Sequence, residues 1–244
     1  MPDHGRTIPE SDPMRHCFIL SMAAFLFAAA PAAAFDLLQP DTWFAPSSCV
    51  PEVPGVRVLT SEADVALDHS VDHNEIDRRA RTLSMAVKDG WVTNGLATAN
   101  LLTAGEMVTR EYRLSDGGWC VSLASAEFTV EYESPIRVLI SSKYAPGSCP
   151  YNVILEHEIR HVRIYKEVLA RHLSGASGRL AERLRLAGPV RARTLAEAKD
   201  RMDATVNAAV DEIADGITRE ARARNAALDT PESYFQIQSL CPDW

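Results

Sequence analysis

The sequence predicts an α+β fold, with an antiparallel β-rich first half carrying one helix and a helical second half. Two observations carry that expectation. Between residues 107 and 142, branched and aromatic residues gather in short runs separated by turn signals. From Cys149 onward the pattern turns helical, with long stretches rich in Ala, Arg and Glu.

The N-terminus predicts a targeting segment rather than part of the fold. Arg15 and His16 precede an apolar run from Cys17 to Ala30, and Pro31 is followed by Ala32-Ala33-Ala34, a small-residue cleavage signal. The run is shorter than the roughly 20 residues that a membrane span needs. Residues 1–34 are therefore expected to be a signal peptide, with Met14 an alternative start. Residues 35–244 are expected to form one domain with a β-rich half, 35–148, and a helical half, 149–244. The mature chain is expected in the periplasm or the medium, with no stable membrane span after cleavage. A net charge of −8 argues against a nucleic-acid partner, which calls for a basic stripe.

Residues 35–55, rich in Pro and Ser, read as an extended arm. Val56–Thr60 and Val65–Asp68 read as short strands. Residues 73–87 read as a helix capped by Asp72, with Ile76, Ala80, Leu83, Met85 and Ala86 as its apolar stripe and Asp89-Gly90 as its end. Strands are expected at Val108–Leu114, Trp119–Ala124, Phe128–Tyr132 and Ile136–Ser141, with Asp116-Gly117-Gly118 turning between the first two. Ser148 can cap a helix over about 149–173, with Pro150 tolerated in its first turn. The stretch 174–178 breaks it, a short helix runs to Gly188-Pro189, and a long helix covers about 191–227.

Loss of the signal leaves Cys49, Cys120, Cys149 and Cys241, an even number in an exported chain, which predicts two disulfides. Three pairings are open. The favoured one joins Cys120 to Cys149 and Cys49 to Cys241. No two cysteines are close enough in sequence to form a CxxC metal pair.

Chemistry concentrates in His157-Glu158-Ile159-Arg160-His161. Histidines four apart on a helix differ by about 40° around its axis and lie one turn apart, so both rings can reach one cation. Glu158 can then take a proton from water at that cation. Apolar neighbours such as Val153, Ile154, Leu155, Val162 and Ile164 suit a buried helix. The opposing interpretation is a packed helix face with Glu158 in a surface ion pair.

A catalytic zinc takes three protein ligands, and the third is not fixed by this motif. Ile164 and Glu167 stand where an extended His-Glu-x-x-His-x-x-Gly-x-x-His motif needs glycine and histidine. His172 lies roughly 16 Å beyond His161 along the axis and cannot share the ion. Two regions remain: Asp211, Glu212 and Asp215 on the long helix, and the segment Asp229-Thr230-Pro231-Glu232-Ser233-Tyr234. Glu232 is the first candidate and Glu212 the second. Against Asp229 and Glu232 stands their spacing as a capping box that would start a last helix through Ser239. Tyr165, four residues after His161, is either a core residue or a hydrogen-bond donor to the site. Arg160 and Arg163 are expected to be solvated or ion-paired.

The stretch from Cys149 to Tyr165 resembles a family of bacterial proteins described as predicted secreted zinc-dependent proteases of unknown function. Their layout is similar: a signal peptide, a β-rich half, a cysteine before the His-Glu-x-x-His helix, then long helices. The resemblance implies a zincin-like fold and a Zn²⁺ cofactor, with His157, Glu158 and His161 the residues that carry over. No substrate follows from it, and the peptide or protein substrate is the expectation of the motif itself. Members carry Thr-x-His-Gly after the last long helix, where this chain reads Thr230-Pro231-Glu232-Ser233, with glutamate replacing histidine. The expected activity is zinc-dependent peptide-bond hydrolysis with Glu158 as base. The alternatives are a non-catalytic envelope protein with a helical partner-binding surface, and a zinc hydrolase acting on a cell-wall amide.

Overall fold

The computed structural model describes residues 45–83, 92–242 and 244, which fall within one compact unit, Pro40–Trp244. The expected signal peptide lies outside the described residues. So do Met85, Ala86 and Asp89-Gly90 of the expected first helix and its end. No described helix is long and apolar enough to cross a membrane.

The described chain is α+β. Its elements in order are β1 (Gly55–Leu59), β2 (Val65–Asp68), α1 (His73–Thr82), β3 (Gly95–Thr98), β4 (Leu101–Arg113), β5 (Trp119–Tyr132), β6 (Ile136–Ile140), α2 (Cys149–Leu173), α3 (Ala176–Ala187), β7 (Val190–Ala192), α4 (Leu195–Leu228) and α5 (Pro231–Ser239). The larger sheet has the order β1-β5-β4, with β7 also on β5, and the smaller has the order β2-β6-β3.

The β half is not wholly antiparallel, as the sequence had suggested. β1 runs parallel to β5, and β2 parallel to β6. Among the described strands that pair with each other, only β4 and β5 are joined by a tight turn, where Gly117 takes φ +85° and the Leu114 amide donates to the Gly118 carbonyl over 2.7 Å. That connection forces antiparallel pairing. The other partners are distant in sequence, so no turn dictates their direction. The two strands expected at 119–124 and 128–132 are one strand, because β1 and β4 pair with the intervening Ser125, Ala126 and Glu127 from both sides. The helical half also contributes a strand, β7, to the larger sheet.

Alternation along β5, shifted once by a bulge opposite Val108 and Thr109, buries one face of the larger sheet. Val121, Leu123, Ala126 and Phe128 pack on α3 and α4 through Leu180, Leu184, Met202 and Val206. The smaller sheet lies between two helices. Ala97, Ile136, Val138 and Ile140 face α2, with Ile154, Val162 and Val168 among their partners. Leu96 and Leu139 face α1 at Ile76 and Ala80. The helix α2 is therefore wedged between the smaller sheet and α4, and its burial explains its length.

The favoured cysteine pairing is corrected. Cys49 is joined to Cys120 and Cys149 to Cys241. The first bridge ties the N-terminal arm to the start of β5, and the second ties the chain end to the start of α2. Spacing along the chain does not encode which cysteines meet, since the fold brings Cys49 back to β5 and Cys241 back to α2. Peptide mapping under non-reducing conditions is expected to recover these two linkages, with no free thiol at Cys49, Cys120, Cys149 or Cys241. Replacing Cys149 and Cys241 together by Ala is expected to lower the unfolding free energy by roughly 2–4 kcal/mol in denaturant titrations.

Candidate metal centre

Ser148 caps α2 by accepting from the Tyr151 amide, and Pro150 sits in the first turn. This start fixes the helical register, which turns His157, Glu158 and His161 inward; all three are no more than 6% exposed. Opposite them, α4 ends at Asp229, whose amide donates to the Asn225 carbonyl over 3.1 Å as the helix C-cap. Asn225 and Asp229 are also four apart, so they share a face. The pairings 157 with 229, 161 with 225 and 172 with 220 show that the two helices run antiparallel.

Three donor atoms converge. Asp229 Oδ1 lies 3.1 Å from His157 Nε2 and 3.1 Å from His161 Nε2, and the two Nε2 atoms are 3.1 Å apart. A tetrahedral ion with ligands at about 2.0–2.1 Å would hold them about 3.3–3.4 Å apart. The triangle is thus already close to one face of such a tetrahedron, and the fourth corner carries no protein ligand among the described residues. Two nitrogens and a carboxylate oxygen could hold a divalent transition-metal ion.

The groups behind the donors orient them. Nδ1–H of His161 donates to Asn225 Oδ1 over 2.9 Å, which directs the Nε2 lone pair to the centre. The Tyr234 hydroxyl, from the first turns of α5, donates to Asp229 Oδ1 over 2.9 Å. Its ring lies 5.5 Å from that of His157. His157 Nδ1 is buried with no hydrogen-bond partner among the described residues.

Glu158 packs against β3, close enough to both imidazoles and to Asp229 to feel their charge. The Asn94 carbonyl accepts from the Ser141 amide of the sheet over 2.8 Å. By alternation Gly95 and Ala97 turn their main-chain groups outward, and the Ala97 amide bonds to the Glu158 carboxylate. Gly95 leaves room for this approach. A Cβ there would overlap the carboxylate oxygen and lie 2.7 Å from Ile154 Cγ2.

Burial pushes the Glu158 carboxyl up to about 7, although both imidazoles pull it down. Burial alone would lower His161, yet Asp229 and Glu158 push it up to about 9. Asp229 is held well below the usual carboxylate range: burial opposes this, but bonds from both histidines and Tyr234 outweigh it. Burial raises Tyr165 to about 12, with Glu158 and Asp229 adding to the shift. A cation at the three donors would take the place of the proton that these carboxylates favour on His161.

The third donor is Asp229, and neither Glu232 nor Glu212 joins it. Asp229 does not cap α5. Thr230 does, forming a capping box with Ser233, which leaves the Asp229 side chain free to turn back to the histidines. Glu232 is exposed in the first turn of α5. Glu212 is 62% exposed and paired with Arg183. It precedes Asn225 on α4 by about 20 Å of helix rise, and Asp211 and Asp215 are similarly remote. His172 bonds to Glu220 over 2.9 Å and Glu167 to Arg224 over 2.7 Å, so neither reaches the centre. Tyr165 packs edge-on against Tyr132 at 5.5 Å and Arg160 pairs with Glu156 at 2.7 Å. Asp229 and Tyr234 lie in one of the two segments left open by the sequence, where Glu232 was preferred, whereas Asn225 and β3 were not singled out. The spacing of Asn225 and Asp229, four apart at a helix end, is the one signal that marks them.

No protein-family model, curated protein or solved structure matches the chain.

Three outcomes check this geometry. Asp229→Ala is expected to weaken zinc binding at least a hundredfold in competition titrations, while Glu232→Ala leaves it unchanged. Asn225→Ala is expected to cost about 10–100-fold, as loss of an orienting partner does. Gly95→Ala is expected to destabilise by about 1–3 kcal/mol, because the added methyl overpacks against Glu158 and Ile154; thermal unfolding measures it.

Proposed function

We propose that the protein is an exported zinc-dependent peptidase of the His-Glu-x-x-His type, with a zincin-like arrangement of site helix and outer strand. The observation that carries this is the buried carboxylate of Glu158 set between three converging ligands and the outward main chain of β3. His157, His161 and Asp229 would hold the ion. When bound, zinc supplies a Lewis acid that acidifies water and polarises a carbonyl.

The chain's own groups do the rest. Glu158 takes the proton of the attacking water on its carboxylate and delivers it to the leaving amine nitrogen. Burial raises that carboxyl, which suits both steps, since a base works best when its proton affinity lies nearer the ambient pH. Ala97 fixes that carboxylate in place. β3 is the outer strand of its sheet, with no strand on its other side among the described residues. An extended peptide can lie along it by main-chain hydrogen bonds to Gly95 and to the Ala97 carbonyl, the outward groups that Glu158 does not occupy, which brings a scissile bond past Glu158.

Two further features support this function over a structural metal site. A structural zinc is closed by four protein ligands, whereas three converge here among the described residues. The cysteines are used in disulfides, which also suits an oxidising location such as the periplasm or the medium.

Glu158→Gln separates turnover from binding. The variant is expected to keep the fold and the bound zinc, while hydrolysis of an unfolded protein substrate falls by about 10²–10⁴-fold. Undiminished hydrolysis by that variant would remove Glu158 from the mechanism.

A further inference from the structure

The face of β3 turned away from Glu158 borders a second feature. A cavity of about 330 Å³ lies between α1 and the smaller sheet, lined by Arg78, Arg79, Arg137, Leu96, Leu139 and Thr98. Its floor is apolar, with Leu96 and Leu139 each 3% exposed. Its rim is cationic. Glu75 is the single acid of the lining, and it pairs with both Arg78 and Arg79. Arg137 is exposed on β6 and has no ion-pair partner among the described residues. The other acid close enough to feel it is Asp68, which already bonds to the Ser70 amide and hydroxyl. Three guanidiniums therefore face one committed carboxylate, and one of them is unpaired.

Register links this cavity to the site. Arg137 is paired with Thr98, the last residue of β3. Residues paired across neighbouring strands put their side chains on the same face of a sheet. A peptide laid on the outer edge of β3 would turn one side chain toward Glu158 and the next toward Leu96 and Thr98. The residue opposite Thr98 would then stand in a row with Thr98 and Arg137. It would be about 10 Å from the Arg137 backbone, or two strand spacings. An arginine and a glutamate side chain cover that span together, over the methyl of Thr98.

We propose that this cavity is a subsite for an acidic side chain of the peptide substrate, read by Arg137 across Thr98. The subsite rests on the peptidase function proposed above, and it narrows the substrate class to extended peptides with Asp or Glu alternating with the residue that faces Glu158. Leu96 and Leu139 cover the aliphatic part of that side chain, and the guanidinium meets its carboxylate in a charge-assisted contact.

The test is binding, measured with the zinc-loaded Glu158→Gln protein and fluorescent ten-residue peptides carrying Glu or Gln at alternate positions. Anisotropy is expected to show the Glu peptide binding about tenfold tighter at low salt, with the difference reduced by added salt. Arg137→Gln is expected to erase the difference, and Arg137→Glu to transfer the preference to a Lys peptide. Circular dichroism and the thermal midpoint check that each variant is folded. The reversal distinguishes recognition from a loss of structure. Equal affinity for Glu and Gln peptides, no measurable binding, or a preference that survives in Arg137→Gln would overturn the subsite. Incubating the parent protein with the same peptides tells the two proposals apart. Cleavage indifferent to acidic residues would leave the peptidase and sink the subsite. Acid-dependent binding without cleavage would do the reverse.

Discussion

The antiparallel contact between α2 and α4 sets the distances at the candidate centre. Each helix contributes two side chains four residues apart, His157 and His161 from one, Asn225 and Asp229 from the other. Because both helices repeat with the same rise, two matched pairs can meet at once only in this register. Val168, Leu169, Ile217 and Ala221 pack in the same core cluster and hold the register away from the site. Gly216 lets His172 approach: a Cβ there would lie 3.1 Å from the imidazole. A slip by one residue on α4 would turn Asp229 about 100° away.

Polar groups placed this deep are costly unless partnered. Glu158, His157 and His161 are no more than 6% exposed, and they bring two imidazoles and a carboxylate into the same core. Asp229, Asn225 and the Ala97 amide satisfy part of that demand. A divalent cation would satisfy more of it by giving three donor atoms one common partner. The same burial tunes Glu158, whose proton affinity near neutrality follows from desolvation opposed by its cationic neighbours. Stability and chemistry draw on one arrangement, so replacing a ligand should disturb both.

Much of this was legible in the sequence, and the failures have physical causes. The bounds of α2 were readable because Ser148, Pro150 and Ser174-Gly175 are local signals acting on adjacent backbone. The histidine pair was readable because helical periodicity alone sets its geometry. Asp229 was not. Its spacing to Glu232 imitates a capping box, and only the structure shows that Thr230 takes that role. β3 was invisible because Gly-Leu-Ala-Thr has little strand propensity. It is a strand because β6 supplies hydrogen bonds and α2 and α1 cover its two faces. The strand directions and the cysteine pairs depend on contacts between residues far apart in the chain, which local pattern does not carry.

The most direct measurement of the central claim is a crystal structure of the zinc-loaded protein with anomalous data collected on both sides of the zinc absorption edge. The account predicts one strong peak about 2.0–2.2 Å from each of His157 Nε2, His161 Nε2 and Asp229 Oδ1, with the fourth position open toward Glu158. A peak elsewhere, a third ligand other than Asp229, or no peak at the two histidines would contradict it.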